Sequence, residues 1–238
     1  MNPYNYDQFS TGNYDLDNSL GPMPGDKAPD FTLTRADGSS QNLLTFDGAF
    51  LVLETGSITC PLFQSRRAPM QRFCDTFPNV AFRVLYVREA HPGSAIGQHQ
   101  TQADKNACAA ELKSRDHEGR TILVDTLDGD AHRAYGSYPN AVFIINKRGC
   151  VVFQADWNNP AATGRALKSL LAGRAANNPS YFLPAKPPVA LRTLRRAGKG
   201  AAADFILHLP RLIWKNGIKR NLQVLLRRHK AVPPDANC

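Results

Sequence analysis

The stretch AFLVLETGSITCPLF, Ala49 to Phe63, decides how the rest of the chain is read. Its first eight residues are a near-continuous apolar run closed by Gly56, the pattern of a central strand buried on both faces. Pro61 then opens a helix, because proline is favoured in the first helical turn, where its missing N–H costs nothing. The helix is predicted to run to about Phe77. Cys60 stands at the junction, so its thiol faces the free N–H groups of the helix N-terminus. Those groups and the helix dipole favour the thiolate, which is the nucleophile. Arg66 and Arg67, one to two turns on, are expected to add positive potential. The competing reading makes Cys60 a small buried filler, a frequent role for free cysteine.

On the N-terminal side, Phe31 to Phe46 reads as two short strands around an Asp-Gly turn. On the C-terminal side, Val80 to Val87 is a second buried strand, and His91 to Gln100 is a loop. Thr101 to Asp116 reads as a helix, Thr121 to Asp125 as a strand, and a short helix surrounds Ala131. Ala141 to Asn146 and Cys150 to Asp156 flank a Lys-Arg-Gly turn as a hairpin, and Pro160 to Arg174 is a helix. The order β-α-β-α-β-β-α after an N-terminal hairpin predicts an α/β, thioredoxin-like three-layer fold. No Gly-rich phosphate loop follows a strand, which argues against a Rossmann domain. The segment Gly136–Gly149 resembles the one in which thioredoxin-like proteins carry a cis-proline before a core strand, and the resemblance implies a cis Pro139 whose backbone lies close to Cys60.

Composition divides the chain further. Residues 186–238 hold twelve Lys and Arg against two Asp, a balance of +10, while residues 1–185 balance at −1. The basic character therefore belongs to a tail. No nucleic-acid-binding motif accompanies it, so nucleic acid is an unlikely partner. We read residues 1–21 as a flexible leader, 22–178 as the redox domain, 179–190 as a proline-rich linker and 191–238 as a basic amphipathic helical tail. Pro210 should kink or divide the tail helix. Five cysteines at irregular spacing, without a secretory signal, predict free thiols in a reducing, cytoplasmic compartment. The basic stripe, with a Trp among its apolar residues, fits peripheral contact with an anionic membrane. It fits equally a stripe that covers the domain or a homodimer partner.

Position 63 is Phe, so Cys60 has no Cys-x-x-Cys partner. Cys74 lies about 20 Å along the same helix, too far for a disulfide. Cys108 is the remaining internal candidate for a resolving thiol. A thiolate that attacks a soft electrophile needs a histidine of near-neutral pKa to hold or supply a proton.

The segments GSITCP (Gly56–Pro61), LYVREAH (Leu85–His91), GQHQ (Gly97–Gln100) and LVDTLDGDAHRAYGSY (Leu123–Tyr138) together resemble the iodothyronine deiodinases, a thioredoxin-fold family related to peroxiredoxins. The resemblance spans about Pro24 to Arg174. It implies that Cys60 stands where the family carries selenocysteine. It also implies that His91 and His99 hold and protonate an iodinated phenol, that Glu89 orients His91 or accepts its proton, and that Ser57, Thr59 and Pro139 support the site. The implied substrate is a small molecule, and the implied reductant is an external thiol such as glutathione or thioredoxin. No bound cofactor or metal is implied. Two positions depart from the family: Ala141 replaces its hormone-binding arginine, and Ile58 replaces its neighbouring cysteine. Two further readings stay open. Ser57 and the segment Pro24–Leu33 are half of a peroxiredoxin pattern, which would make the protein a thiol peroxidase. The domain could also be a non-catalytic scaffold whose tail binds a membrane or a partner.

Overall fold

Strand β3 (Phe50–Gly56) is buried along its whole length, as its apolar run demands. It pairs in parallel with β4 (Val80–Tyr86) and antiparallel with β6 (Val142–Asn146). The computed structural model describes residues 4–18, 20–226 and 230–238. In it a seven-stranded sheet runs in the order β2-β1-β5-β4-β3-β6-β7. Here β1 is Thr32–Arg35, β2 Ser40–Asn42, β5 Thr121–Val124 and β7 Val151–Ala155. The turn between β1 and β2 places Gly38 at φ 87°, a conformation that costs glycine little. Helices α1 (Pro61–Thr76), α2 (Gln102–Ser114), α3 (Asp130–Ala134) and α4 (Pro160–Leu171) connect or follow the strands. This is the expected thioredoxin-like arrangement with a hairpin extension. Distinct apolar clusters fill it, one of which contains Ile58, Cys60, Phe63, Val84 and Tyr86.

Glu54 interrupts the apolar run of β3 yet is fully buried. Its carboxylate is matched by the Arg120 guanidinium and by the side-chain amides of Asn140 and Asn158, at 2.8 and 2.6 Å. Arg120 in turn holds Glu118 at 2.8 Å. A charge in a sheet core is tolerable only with such a full set of partners.

Several expectations are corrected. The described part of the leader is not flexible: Tyr4, Tyr6, Phe9 and Leu16 are buried. Tyr4, Tyr6 and Tyr14 surround the Arg88 guanidinium at 4.7–5.0 Å, which anchors the segment to the end of β4. The proline-rich stretch is not a free linker either. The Leu183 carbonyl accepts from Arg66 at 2.5 Å, and the Lys186 N–H donates to Ser65 Oγ. The cysteines are not all free thiols: Cys150 is bonded to Cys238, with Cα atoms 5.5 Å apart. Compositional polarity hid the leader's aromatic anchors, and an 88-residue separation hid the cysteine pair.

The tail forms α5 (Pro187–Ala197) and α6 (Ala201–Leu212). A π-helical segment, Ile213–Arg220, and α7 (Asn221–Leu226) follow. Pro210 does not divide α6, which contains it and passes into the π segment. A wider turn after proline absorbs the hydrogen bond that proline cannot make.

Candidate active site

Cys60 is the N-cap of α1, and its Sγ accepts from the Phe63 N–H at 3.5 Å. Gly56, at the end of β3, makes this junction tight: a Cβ there would lie 2.3 Å from the Phe63 ring. Only 1% of Cys60 is exposed. Burial pushes its thiol up to about 12, assisted by the negative charges of Glu54 and Glu89, against the downward pull of the Phe63 and Leu62 N–H groups. The expected helix-stabilised thiolate is therefore overridden by desolvation in this closed form. Arg66 does interact with Cys60 through its charge, but burial of the thiol outweighs it. Arg66 is spent on the carbonyls of Asn158 and Leu183, and Arg67 on Glu118 and Asp116.

Glu89 is the hub of the floor beneath Cys60. It is 2% exposed and accepts from the Thr59 N–H at 3.0 Å, the Thr59 hydroxyl at 2.6 Å and the Tyr86 hydroxyl. His99 Nε2 lies 3.2 Å from its other side. Burial alone would raise this carboxyl. The His99, Thr59 and Tyr86 contacts outweigh it and hold the carboxyl below its ordinary value. Thr59 Oγ1 also accepts from the His91 N–H at 3.2 Å, and Ser57 Oγ accepts from the Ala90 N–H. Thus Ser57, Thr59, Glu89 and the His91 backbone form one hydrogen-bonded floor. Tyr86, which completes it and also accepts from the Ile58 N–H, escaped the sequence reading because a tyrosine ending an apolar strand looks like core.

His91 projects from this floor into an apolar cavity shared with Cys60, Pro61, Leu62 and Pro139. It sits between the Phe9 ring at 4.1 Å and the Phe205 ring at 5.4 Å. Burial drives it down to about 3, so the imidazole is neutral at physiological pH. Its buried Nδ1 has no hydrogen-bond partner among the described residues. Sequence reasoning placed His91 beside Cys60 but missed the roof: Phe9 and Tyr14 from the leader, Phe182 from the proline-rich stretch, and Phe205, Leu209 and Ile213 from the tail. The three-to-five-residue spacing of the tail's apolar residues was the available signal.

Pro139 lines the same cavity, but its peptide bond is trans, contrary to expectation. The Ala141 carbonyl accepts from the Thr55 N–H, its own N–H donates to Thr55 Oγ1, and it brings no charge to the site. Cys108 is half-buried and packs against the apolar cluster of Cys60. Its thiol, pushed up to about 12 by burial, groups with Glu89 and His99 so that one atom of each lies within 4.8 Å of the others. Those three side chains could hold a metal ion. Thr59 and Tyr86 already occupy both Glu89 oxygens, however, which suits a hydrogen-bonding role for the carboxylate.

Comparison with known proteins agrees with this geometry. The family model of iodothyronine deiodinase matches residues 13–161. Thyroxine 5-deiodinase of Rattus norvegicus is 30% identical over 143 residues, covering 55% of this chain and 46% of that protein. The Sparus aurata protein of the same description is 33% identical over 113 residues, covering 44% of this chain and 42% of that protein. The chain thus spans about half the length of the curated relatives it matches. Among solved structures, a hypothetical protein of Sinorhizobium meliloti superposes with a TM-score of 0.53 at 19% identity, over 66% of this chain and 88% of that one. An uncharacterized conserved protein of Geobacillus kaustophilus gives 0.52 at 19% identity, over 64% and 84%.

Proposed function

Because this chain belongs to the iodothyronine deiodinase family, we propose that it is a thiol-dependent reductive dehalogenase with Cys60 as its nucleophile. The observation that carries this reading is the single apolar cavity in which Cys60 and a neutral His91 meet over the Glu89 floor. An apolar lining favours an aromatic substrate over hydrogen peroxide. Ala141 removes the charged contact that would select a hormone, so the substrate class is iodinated phenols in general.

The chemistry balances with two equivalents of external thiol. Cys60 sulfur attacks iodine, the carbon–iodine bond breaks, and its electron pair stays on the ring carbon. That carbon takes the proton given up by the Cys60 thiol, relayed by the neutral His91 imidazole. Cys60 is left as a sulfenyl iodide. One external thiol displaces iodide to give a mixed disulfide. A second releases reduced Cys60 and the oxidised external pair. Glutathione or thioredoxin would serve. Cys108 is the internal thiol that could replace one equivalent. Overall one aryl iodide and two thiols become one arene, one disulfide and hydrogen iodide.

Purified full-length protein with dithiothreitol and an iodinated phenol should release iodide. Cys60→Ser should lower the rate about 10³-fold or more, the scale on which loss of a nucleophile is felt. Peroxide consumption without iodide release would replace this reading with a thiol peroxidase. Neither product would leave a binding scaffold.

A further inference from the structure

The tail presents two apolar faces, and the cavity uses only one. On the inner side, Phe205 meets His91, and the Asn216 side-chain oxygen accepts from Trp157 Nε1 at 3.2 Å. Arg220, buried, pairs with Asp156 at 2.8 Å. These contacts fix the rotation of the helices about their axis, so the opposite side is held outward. That outer side carries Ile206, Leu207, Trp214, Leu222, Leu225 and Leu226, each between 52% and 80% exposed. They recur at one- to two-turn intervals along continuous helix from Ala201 to Leu226. A contiguous apolar stripe of this kind on a folded surface marks a contact site.

We propose that this outer face docks in the plane of an anionic lipid bilayer and sets the Cys60 cavity at the lipid surface. No described helix is long and apolar enough to cross a membrane, so the face would lie on the bilayer and not span it. Charge selects the occupant. The segment 186–238 carries a balance of +10 in sequence; Arg196, Lys215, Lys219 and Arg220 are paired with acidic residues outside it, and Arg192, Arg195 and Arg211 are exposed around the helices. Anionic headgroups complement that charge, whereas a second copy docked through the same face would bring two such segments together. Trp214 has the amphipathic ring favoured at a membrane interface. Ile213 links the two faces, since it is 52% exposed and also lines the cavity. An apolar substrate dissolved in the bilayer would thus reach the cavity through the helix that roofs it. The docking itself does not depend on the reaction proposed above.

The test is co-sedimentation of the full chain with phosphatidylcholine vesicles, with and without phosphatidylserine. Binding should be at least roughly tenfold tighter with phosphatidylserine, since exposed basic residues are attracted to an anionic surface, and should weaken as salt is raised. The combined variant Leu207→Ser, Leu222→Ser, Leu225→Ser, Leu226→Ser should lose binding and keep its thermal melt, because all four are more than half exposed. If that variant fails to fold, quenching of Trp214 by brominated acyl chains in the unaltered protein decides, with Trp214→Phe as control. Cys60→Ser should bind vesicles as the parent does, which separates docking from chemistry. The proposal is overturned if phosphatidylserine vesicles leave the protein in solution, if Trp214 is not quenched, or if light scattering shows a dimer that the serine variant dissociates.

Discussion

The sheet side of the Cys60 cavity is held by a network of buried charge and hydrogen bonds, whereas the leader and tail side combines ring contacts and ion pairs nearer the surface with one buried pair, Arg220 and Asp156. On the sheet side Glu54, Arg120 and Glu118 form a fully buried set, and Glu89 collects Thr59, Tyr86 and His99. On the roof, Lys215 and Lys219 both reach Asp17, which is 42% exposed, and the His91 ring packs against the Phe9 and Phe205 rings. Buried polar networks are costly to open because every member then loses a partner in low dielectric. Apolar contact at the edge of a domain opens more cheaply. The floor is therefore built to hold geometry, and the roof to control what surrounds the sulfur.

The largest expected effect tests the floor. Arg120→Met removes the cation between Glu54 and Glu118 and should cost about 3–5 kcal/mol in urea unfolding, the usual penalty for leaving a buried charge unpaired. Lys219→Ala, which breaks an ion pair exposed by 41% and 42% on its two sides, should leave the midpoint unchanged. Equal effects from the two variants would break the contrast between floor and roof.

Part of the floor was legible from sequence and the roof was not, for a physical reason. Thr59 and Cys60 follow β3, and Glu89 and His91 follow the adjacent β4, so the two strands bring them together beyond their C-terminal ends, although it was motif resemblance that singled out Glu89 and His91. The helix beginning at Pro61 and the closing hairpin followed from local pattern alone. Glu54 was absorbed into an apolar run because its partners, Arg120, Asn140 and Asn158, come from elements 66 to 104 residues away. The leader looked flexible because its few aromatics are diluted among polar residues, yet three of them close around Arg88. The tail's amphipathicity was visible, but a helical stripe does not say which surface it covers. The expected thiolate is opposed by burial of Cys60, which local helix geometry does not reveal because a distant segment lies over the site.

A smaller effect should appear in the pH dependence of stability. His91 has its folded pKa lowered to about 3 by burial, against an unfolded value near 6.5. Between those values the unfolded chain binds a proton that the folded chain refuses. Stability therefore rises with pH across this window and is lost on acidification below about 6.5, by up to about 1.4 kcal/mol per pH unit from this residue. His132, also depressed by burial, adds to the same limb. His91→Leu, which suits the apolar slot between Phe9 and Phe205, should flatten the acid limb by about one proton's slope in denaturant midpoints measured from pH 4 to 7. An unchanged slope would mean that the roof admits water and does not hold His91 neutral.

The smallest effect isolates the roof's action on sulfur. Burial is the main reason that the Cys60 thiol stands at about 12, while the Phe63 and Leu62 N–H groups act in the opposite direction. Those N–H groups belong to α1 and stay in place when the roof is thinned. Phe205→Ala removes an apolar ring from the roof without touching α1 or Glu89, so water gains access to Cys60 and the lowering groups act with less opposition. The thiol pKa should fall, and iodoacetamide should alkylate Cys60 at pH 8 roughly tenfold faster, the change that one pKa unit produces while the thiolate is the minor form. Cys74 supplies the internal control. It lies about 20 Å away along α1, its thiol is raised to about 11 by its own burial, and its rate should not change. Peptide-resolved mass spectrometry reads both sites in one sample. If both cysteines accelerate together, the substitution has loosened the whole domain. If neither does, the desolvation of Cys60 is a property of the floor, and the division of labour between the two walls fails at the reacting atom.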